Sequence, residues 1–179
     1  MAEGRDGHGT LAGELAGWSV AIDYTASSRP FGMAKLLVKC GFRVERIYAD
    51  TISPEEEDTF AWLKKQCPRM RLCPTVYHKM AVLPRTWCRE AGGKVLAIGQ
   101  KAAYFTGTSH FVNMVEDGGL YGYGGILELA AMMEEAAGEE KDTEKLIQVK
   151  GMGGAAVETD KPDSAGIRGG YIRNLLSLI

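Results

Sequence analysis

The sequence predicts a three-layer α/β domain built on a central, mostly parallel sheet, and three observations predict it. From Trp18 to Ala136 short apolar runs alternate with segments of helical spacing, and such strand–helix–strand units give parallel strands with right-handed crossovers. In the run Lys94-Val-Leu-Ala-Ile-Gly99 the four residues from Val95 to Ile98 are all apolar, as a strand covered on both faces must be. Helix-starting and helix-stopping residues stand at the joints: Pro30 and Pro54 at starts, Gly41 and Pro68 at stops.

Taken in order, residues 1–14 read as a polar, Gly-rich leader, with a short helix around Leu11–Leu15. Trp18–Tyr24 is the first strand, and Thr25–Arg29 a turn. Pro30 opens a helix whose Phe31, Ala34, Leu37 and Val38 share one face. Phe42–Tyr48 is the second strand. Ser53-Pro-Glu-Glu56 has the chemistry of a capped helix start, Ser53 at the cap and Glu56 completing a capping box. That helix runs to about Gln66 with Phe60, Leu63 and Cys67 inward. Arg71–Tyr77 is a strand interrupted by Pro74, which places it at an edge or a bulge. A short helix over Pro84–Glu90 precedes the inner strand Lys94–Gly99. Gln100–Phe105 is a short helix, His110–Val112 a last short strand, Met114–Gly125 a loop, and Ile126–Ala136 an amphipathic helix. One α/β domain thus spans residues 15–137. Residues 138–179 are charged and then Gly-rich, with an apolar end from Tyr171 able to dock, and read as a tail. The whole is Rossmann-like.

Composition narrows the function. The chain has 179 residues, enough for one sizeable core, and a formal net charge of −2. That balance predicts neither a nucleic-acid partner nor an anionic membrane surface. No apolar run approaches the roughly 20 residues that cross a bilayer, and no secretory signal pattern opens the chain, so the cytoplasm is expected. Cys40, Cys67, Cys73 and Cys88 form no C-x-x-C pair and have no histidine at zinc-finger spacing. They read as structural thiols, with a meeting of Cys73 and Cys88 left open.

Ligands of open parallel sheets sit beyond the carboxyl ends of the strands. The turn Tyr24-Thr-Ala-Ser-Ser-Arg29 belongs there. Its small residues, Ser27 and Ser28 among them, leave backbone amides beside a helix start, and Arg29 adds a cation, so the turn suits an anion. The plainer reading is a surface turn with a solvated arginine. It is neither G-x-G-x-x-G nor a P-loop. The second candidate is Asn113–Gly125, whose five glycines let backbone approach a ligand or a neighbouring subunit. Asn113, Glu116 and Tyr121 are its candidate binding residues. Glu116 and Asp117 are adjacent carboxylates, though neighbours on a loop need not share a proton. His110 is placed to ligate a metal or to make a structural hydrogen bond. His8 and His78 are poorer candidates, and no nucleophile motif is present.

Three stretches carry a resemblance. They are Val20–Pro30 followed by Met33–Val44, Lys94–Gly99 with Gln100-Lys-Ala-Ala103, and Gly119-Leu-Tyr-Gly-Tyr-Gly-Gly-Ile126 leading into the Leu127–Glu135 helix. Their order and spacing resemble the C-terminal Rossmann-like domain of nitrogenase component 1 type oxidoreductases. In that family paired subunits of three such domains hold iron–sulfur or related metalloclusters and accept electrons from an ATP-driven iron protein. The resemblance implies that Arg29 matches the arginine leaning on the catalytic cofactor. It also implies that the chain acts with N-terminal domains it lacks or with a paralogous subunit, as a fragment or a split subunit, and holds no cofactor alone. Two departures bear on activity. Ala26 and Ser27 replace the family's turn glycines, and the position of the cofactor-ligating histidine falls near Val112, two residues from His110. Nitrogen reduction is therefore not implied; a cofactor-assembly scaffold, a tetrapyrrole reductase or another paralogue is. The competing expectation is a flavodoxin-like domain that binds a small anion or a partner without redox chemistry.

Overall fold

The computed structural model describes residues 13, 15–77, 80 and 84–143. All of the 1–14 leader except Gly13, with His8, together with His78 and the tail beyond residue 143, lies outside the described residues. Five strands, β1 (Ser19–Asp23), β2 (Arg43–Tyr48), β3 (Arg71–Cys73), β4 (Val95–Ile98) and β5 (Phe111–Val112), form one sheet in the order β3-β2-β1-β4-β5. Every pairing is parallel. The helices are α1 (Pro30–Lys39), α2 (Glu57–Gln66), α3 (Trp87–Glu90), α4 (Gln100–Thr106) and α5 (Gly122–Gly138). No described helix is long and apolar enough to cross a membrane.

Side chains alternate across the sheet and build two cores. Val20, Ile22, Ile47, Leu96, Ile98 and Val112 face α1, α2 and α5, where Phe31, Leu63, Leu129 and Met133 meet them. Ala21, Tyr48, Ala97 and Phe111 face the other way, against Ala102 and Ala103 of α4 and Trp87 of α3. Alanines on both partners let α4 lie close to the sheet. An irregularity between Val20 and Ala21 shifts the register, so that Val20 pairs with Val44 but Ala21 with Arg46. One extra residue on β2 keeps both Val44 and Ile47 on the larger core.

The sequence-derived boundaries hold closely, with three differences. β3 ends at Cys73, just before Pro74, and occupies a sheet edge, because proline has no amide to donate to a ladder. The Ser53–Glu56 start is a 3-10 turn in which Ser53 makes no side-chain cap. Glu56 is buried instead and accepts a hydrogen bond from the Gly32 amide at 2.7 Å, joining α1 to α2. Finally α5 begins at Gly122, four residues before the expected Ile126. Gly125 is obligatory there, since a Cβ would lie 2.7 Å from the Leu120 carbonyl carbon.

The chain winds outward from β1 through β2 to β3, then returns to place β4 on the free side of β1. The carboxyl ends of β1 and β4 therefore flank the point where the winding reverses, the place such folds offer for ligands.

Candidate functional site

At that reversal point stands Asp23, the last residue of β1, fully buried. Its Oδ1 accepts from the Thr25 amide at 2.8 Å, the Thr25 hydroxyl at 2.5 Å and the Ala26 amide at 3.0 Å. Its Oδ2 accepts from the Ala102 amide at 2.8 Å. One carboxyl therefore fixes the turn after β1 and satisfies the start of α4, where unpaired amides would otherwise point. The fit is close enough to require Gly99, at φ +102, because a Cβ would sit 2.3 Å from Asp23 Oδ2.

The β1–α1 turn and the Gly/Tyr segment meet on this rim. Glu116 donates its amide to Thr25 O at 2.7 Å and Asp117 its amide to Ala26 O at 2.8 Å. Asp117 Oδ2 accepts from the Ser28 hydroxyl at 2.8 Å and the Ser28 amide at 3.3 Å. To reach this position residues Glu116, Asp117, Gly118 and Gly119 all take positive φ, at 52, 61, 57 and 76. Glycine does so freely, whereas Glu116 and Asp117 are held there against their preference. Burial alone would raise the Asp117 carboxyl, but hydrogen bonds from Ser27 and Ser28 outweigh it and hold the group below its ordinary value.

Between the two segments opens a cleft of about 420 Å³, lined by Arg29, Met33, Met114, Leu120, Tyr123 and Ile126 among others. Its walls are chiefly apolar and its cation is Arg29. The guanidinium has no hydrogen-bonded or ion-paired partner among the described residues; Glu55 and Glu56 act on it only at a distance. Burial raises the Glu56 carboxyl, partly offset by the amides of Gly32 and Phe31 and by the charge of Arg29.

The expectation of free amides in the turn needs correction. Those of Thr25 and Ala26 go to Asp23, that of Ser28 to Asp117, that of Arg29 to Ser27 Oγ at 3.1 Å, and that of Gly32 to Glu56. The protein's own carboxyls hold the positions an anion would take at the starts of α1 and α4, which leaves Arg29 as the attracting group.

The remaining candidates divide. Ser27 and Arg29 line the cleft, while Ser28 braces its far wall through Asp117. Tyr121 is 80% exposed at the rim, outside the cleft lining. Asn113 accepts from Gln100 Nε2 at 2.8 Å and ties β5 to α4. Glu116 contributes its amide rather than its exposed carboxylate, so of the adjacent acidic pair Asp117 is the engaged member. His110 turns elsewhere. Its Nδ1 lies 3.1 Å from both Ala136 O and Glu139 O at the end of α5, and its ring meets Trp18 edge-on at 5.0 Å. These contacts supply the structural hydrogen bond of its two readings. Met33, Met114 and Leu120 carry no chemical signal in sequence, and only the fold brings them to the cleft.

A metallocluster needs thiolate or imidazole ligands, and the described residues do not fit that demand. No group of three or more His, Cys, Asp or Glu side chains among them is arranged to hold a metal ion. All four cysteines are free thiols, so Cys73 and Cys88 are not bonded. Burial raises the thiols of Cys40, Cys67 and Cys73, away from the thiolate form. The cleft lining contains neither cysteine nor histidine. No family model matches the chain, and neither the curated proteins nor the solved structures give a match.

Proposed function

We propose that the chain is a domain of a nitrogenase-like oxidoreductase subunit, acting in a cytoplasmic complex, and that the Arg29 cleft is one wall of a cavity shared with partner domains. One observation carries the reading. The turn after β1, which bears part of the resemblance, is hydrogen-bonded to Glu116 and Asp117, just ahead of the Gly119–Ile126 stretch that bears another part and at least 89 residues away in the chain, with an unpaired guanidinium between the two segments. The rim is also unfinished as a surface. Tyr121 is 80% exposed, Tyr123 60% and Val115 39%, beside an apolar cleft, and such a cluster fits burial against another protein surface.

In this role the chain supplies shape and charge. Arg29 presents a permanent, planar cation to an anionic cofactor or substrate, at the mouth of an apolar wall that weakens competition from water. Asp117 and Ser28 keep the far wall at a fixed distance. Any metal ligands belong to groups outside the described residues, in accord with a complex built from further domains and an iron-protein electron donor. Nitrogen reduction itself is not part of the proposal. Val112, near which the position of the family's imidazole ligand falls, is 2% exposed and packs in the core.

The test is anaerobic co-expression with the subunits encoded beside it. A brown complex with iron and acid-labile sulfide is expected, and Arg29→Ala should weaken its formation or ligand content while leaving the melting temperature of the free chain nearly unchanged. A colourless monomer that binds a small anion through Arg29 would replace this reading with a non-redox binding domain.

A further inference from the structure

A second hollow lies at the other end of the sheet. It has a volume of about 510 Å³ and is lined by Arg43, Arg46, Arg69 and Arg71, with Trp87 as an aromatic wall. Arg43 opens β2 and Arg71 opens β3, so the hollow sits toward the amino ends of these strands, opposite the Arg29 rim. Two carboxylates, Glu45 and Glu90, also line it. Glu45 is paired with Arg43 at 3.1 Å, and Glu90 accepts from the Thr86 hydroxyl at 2.5 Å. Four guanidiniums against two carboxylates leave two positive charges in excess, in a chain whose formal net charge is −2.

The arrangement of these cations is unfavourable by itself. Arg46 and Arg71 are register partners on adjacent strands, and like charges opposite each other across strands repel. Some of the arginines are nevertheless fixed in place. Arg46 lies 4.3 Å over the Trp87 ring, and Arg43 donates to Gly17 O at 3.1 Å and Ser19 Oγ at 2.7 Å. Arg69 and Arg71 are exposed, and their guanidiniums have no hydrogen-bonded or ion-paired partner among the described residues. Two anchored and two unengaged guanidiniums around one concavity make a receptor for a compact anion with several negative charges.

We infer that this hollow binds a small molecule through a multiply charged phosphate group. Guanidiniums match phosphate oxygens in paired hydrogen bonds. The volume falls in the roughly 300–1,000 Å³ range of small-molecule sites, and the concave shape favours a compact ligand over an extended polyanion. This inference stands apart from the Arg29 cleft and from any redox role.

Titration calorimetry and thermal melting with inorganic pyrophosphate, at ionic strength matched with chloride, test it. Saturable binding and a raised melting temperature are expected for the unaltered chain. Arg69→Gln with Arg71→Gln should weaken binding by at least about ten-fold, since each guanidinium supplies a charge-assisted contact, whereas Lys141→Gln, beside β5 at the opposite edge of the sheet, should leave it unchanged. Without ligand, Arg71→Gln should melt no lower than the parent, because a repulsion is relieved. The inference is overturned by absence of saturable binding, by equal binding in the double variant, or by a single-stranded RNA or polyglutamate that binds while pyrophosphate fails to compete.

Discussion

Replacing Asp117 with alanine removes the brace between the two halves of the cleft, and the structure sets the size of the effect. Two hydrogen bonds from Ser28 to a charged acceptor are lost. Such bonds to a charged group contribute a net of about 1.5–3 kcal/mol each in folded proteins, but Ser28 is exposed, and solvent replaces much of that, so about 1 kcal/mol for the pair is appropriate. Alanine must then also adopt φ 61, at a cost of roughly 1 kcal/mol over aspartate, which tolerates the left-handed region better. The sum is about 2 kcal/mol, or some 4–8 °C in melting temperature for a chain of this size. Two further variants separate the contributions. Asp117→Asn keeps both an acceptor and left-handed tolerance and should cost less than about 1 kcal/mol; Asp117→Gly relieves the backbone while losing the brace and should fall between. Urea unfolding gives the energies, and amide exchange at Glu116 and Asp117 reports whether the bonds to Thr25 O and Ala26 O loosen. Unchanged stability and unchanged exchange in Asp117→Ala would refute the claim that this carboxylate holds the rim together.

Other perturbations have equally definite outcomes. Gly99→Ala places a Cβ 2.3 Å from Asp23 Oδ2 at φ +102 and should cost at least about 3 kcal/mol by urea unfolding, combining a backbone conformation reserved for glycine with a displaced carboxyl. Glu56→Gln retains an acceptor for the Gly32 amide while removing a buried charge. In the folded chain burial raises the Glu56 carboxyl above 4.5, so its contribution is fully present below that pH and declines as pH rises through the folded value; the variant should lack this decline above pH 4.5. Asp50 and Asp117 are held below 3.8 despite burial, by Val76 and Thr75 and by the Ser27 and Ser28 groups respectively. Their contribution is present above 3.8 and is lost as pH falls through the folded values, so acid unfolding of Glu56→Gln should follow the parent there. Tyr48→Phe should change the melting temperature little, since the Tyr48 hydroxyl is buried with no hydrogen bond of regular geometry and interacts only weakly with the neighbouring Arg46.

The strands and most helices were legible because local chemistry and tertiary packing agree on them. Val95–Ile98 is apolar because both faces of β4 are covered, and Pro30 starts α1 because a first-turn residue needs no amide partner. Reading failed where a distant contact overrules a local preference. Four residues rich in glycine looked like loop, yet they form the first turn of α5 because backbone at Leu120 passes too close for any side chain at Gly125. Ser53 and Glu56 have capping-box spacing, yet Glu56 turns to an amide 24 residues away. The same limit applies to the site. Arg29 and the 113–125 segment were visible by residue type, but the bond from Ser28 to Asp117 spans 89 positions, and nothing local distinguishes Asp117 from Glu116. His110 stayed open between a metal ligand and a structural hydrogen bond, because its ring chemistry is the same whether it faces a metal or the end of a helix.

The central claim is that the rim joining Ser27–Gly32 to Leu120–Ile126 is the face this chain buries in its complex. Hydrogen exchange of the free chain, compared with the anaerobically isolated assembly, tests it most directly. Slowed exchange confined to those two stretches, with Gly92–Lys94 at the opposite end of β4 unchanged, is the predicted result. Protection elsewhere, with both stretches exchanging as fast as in the free chain, would contradict it.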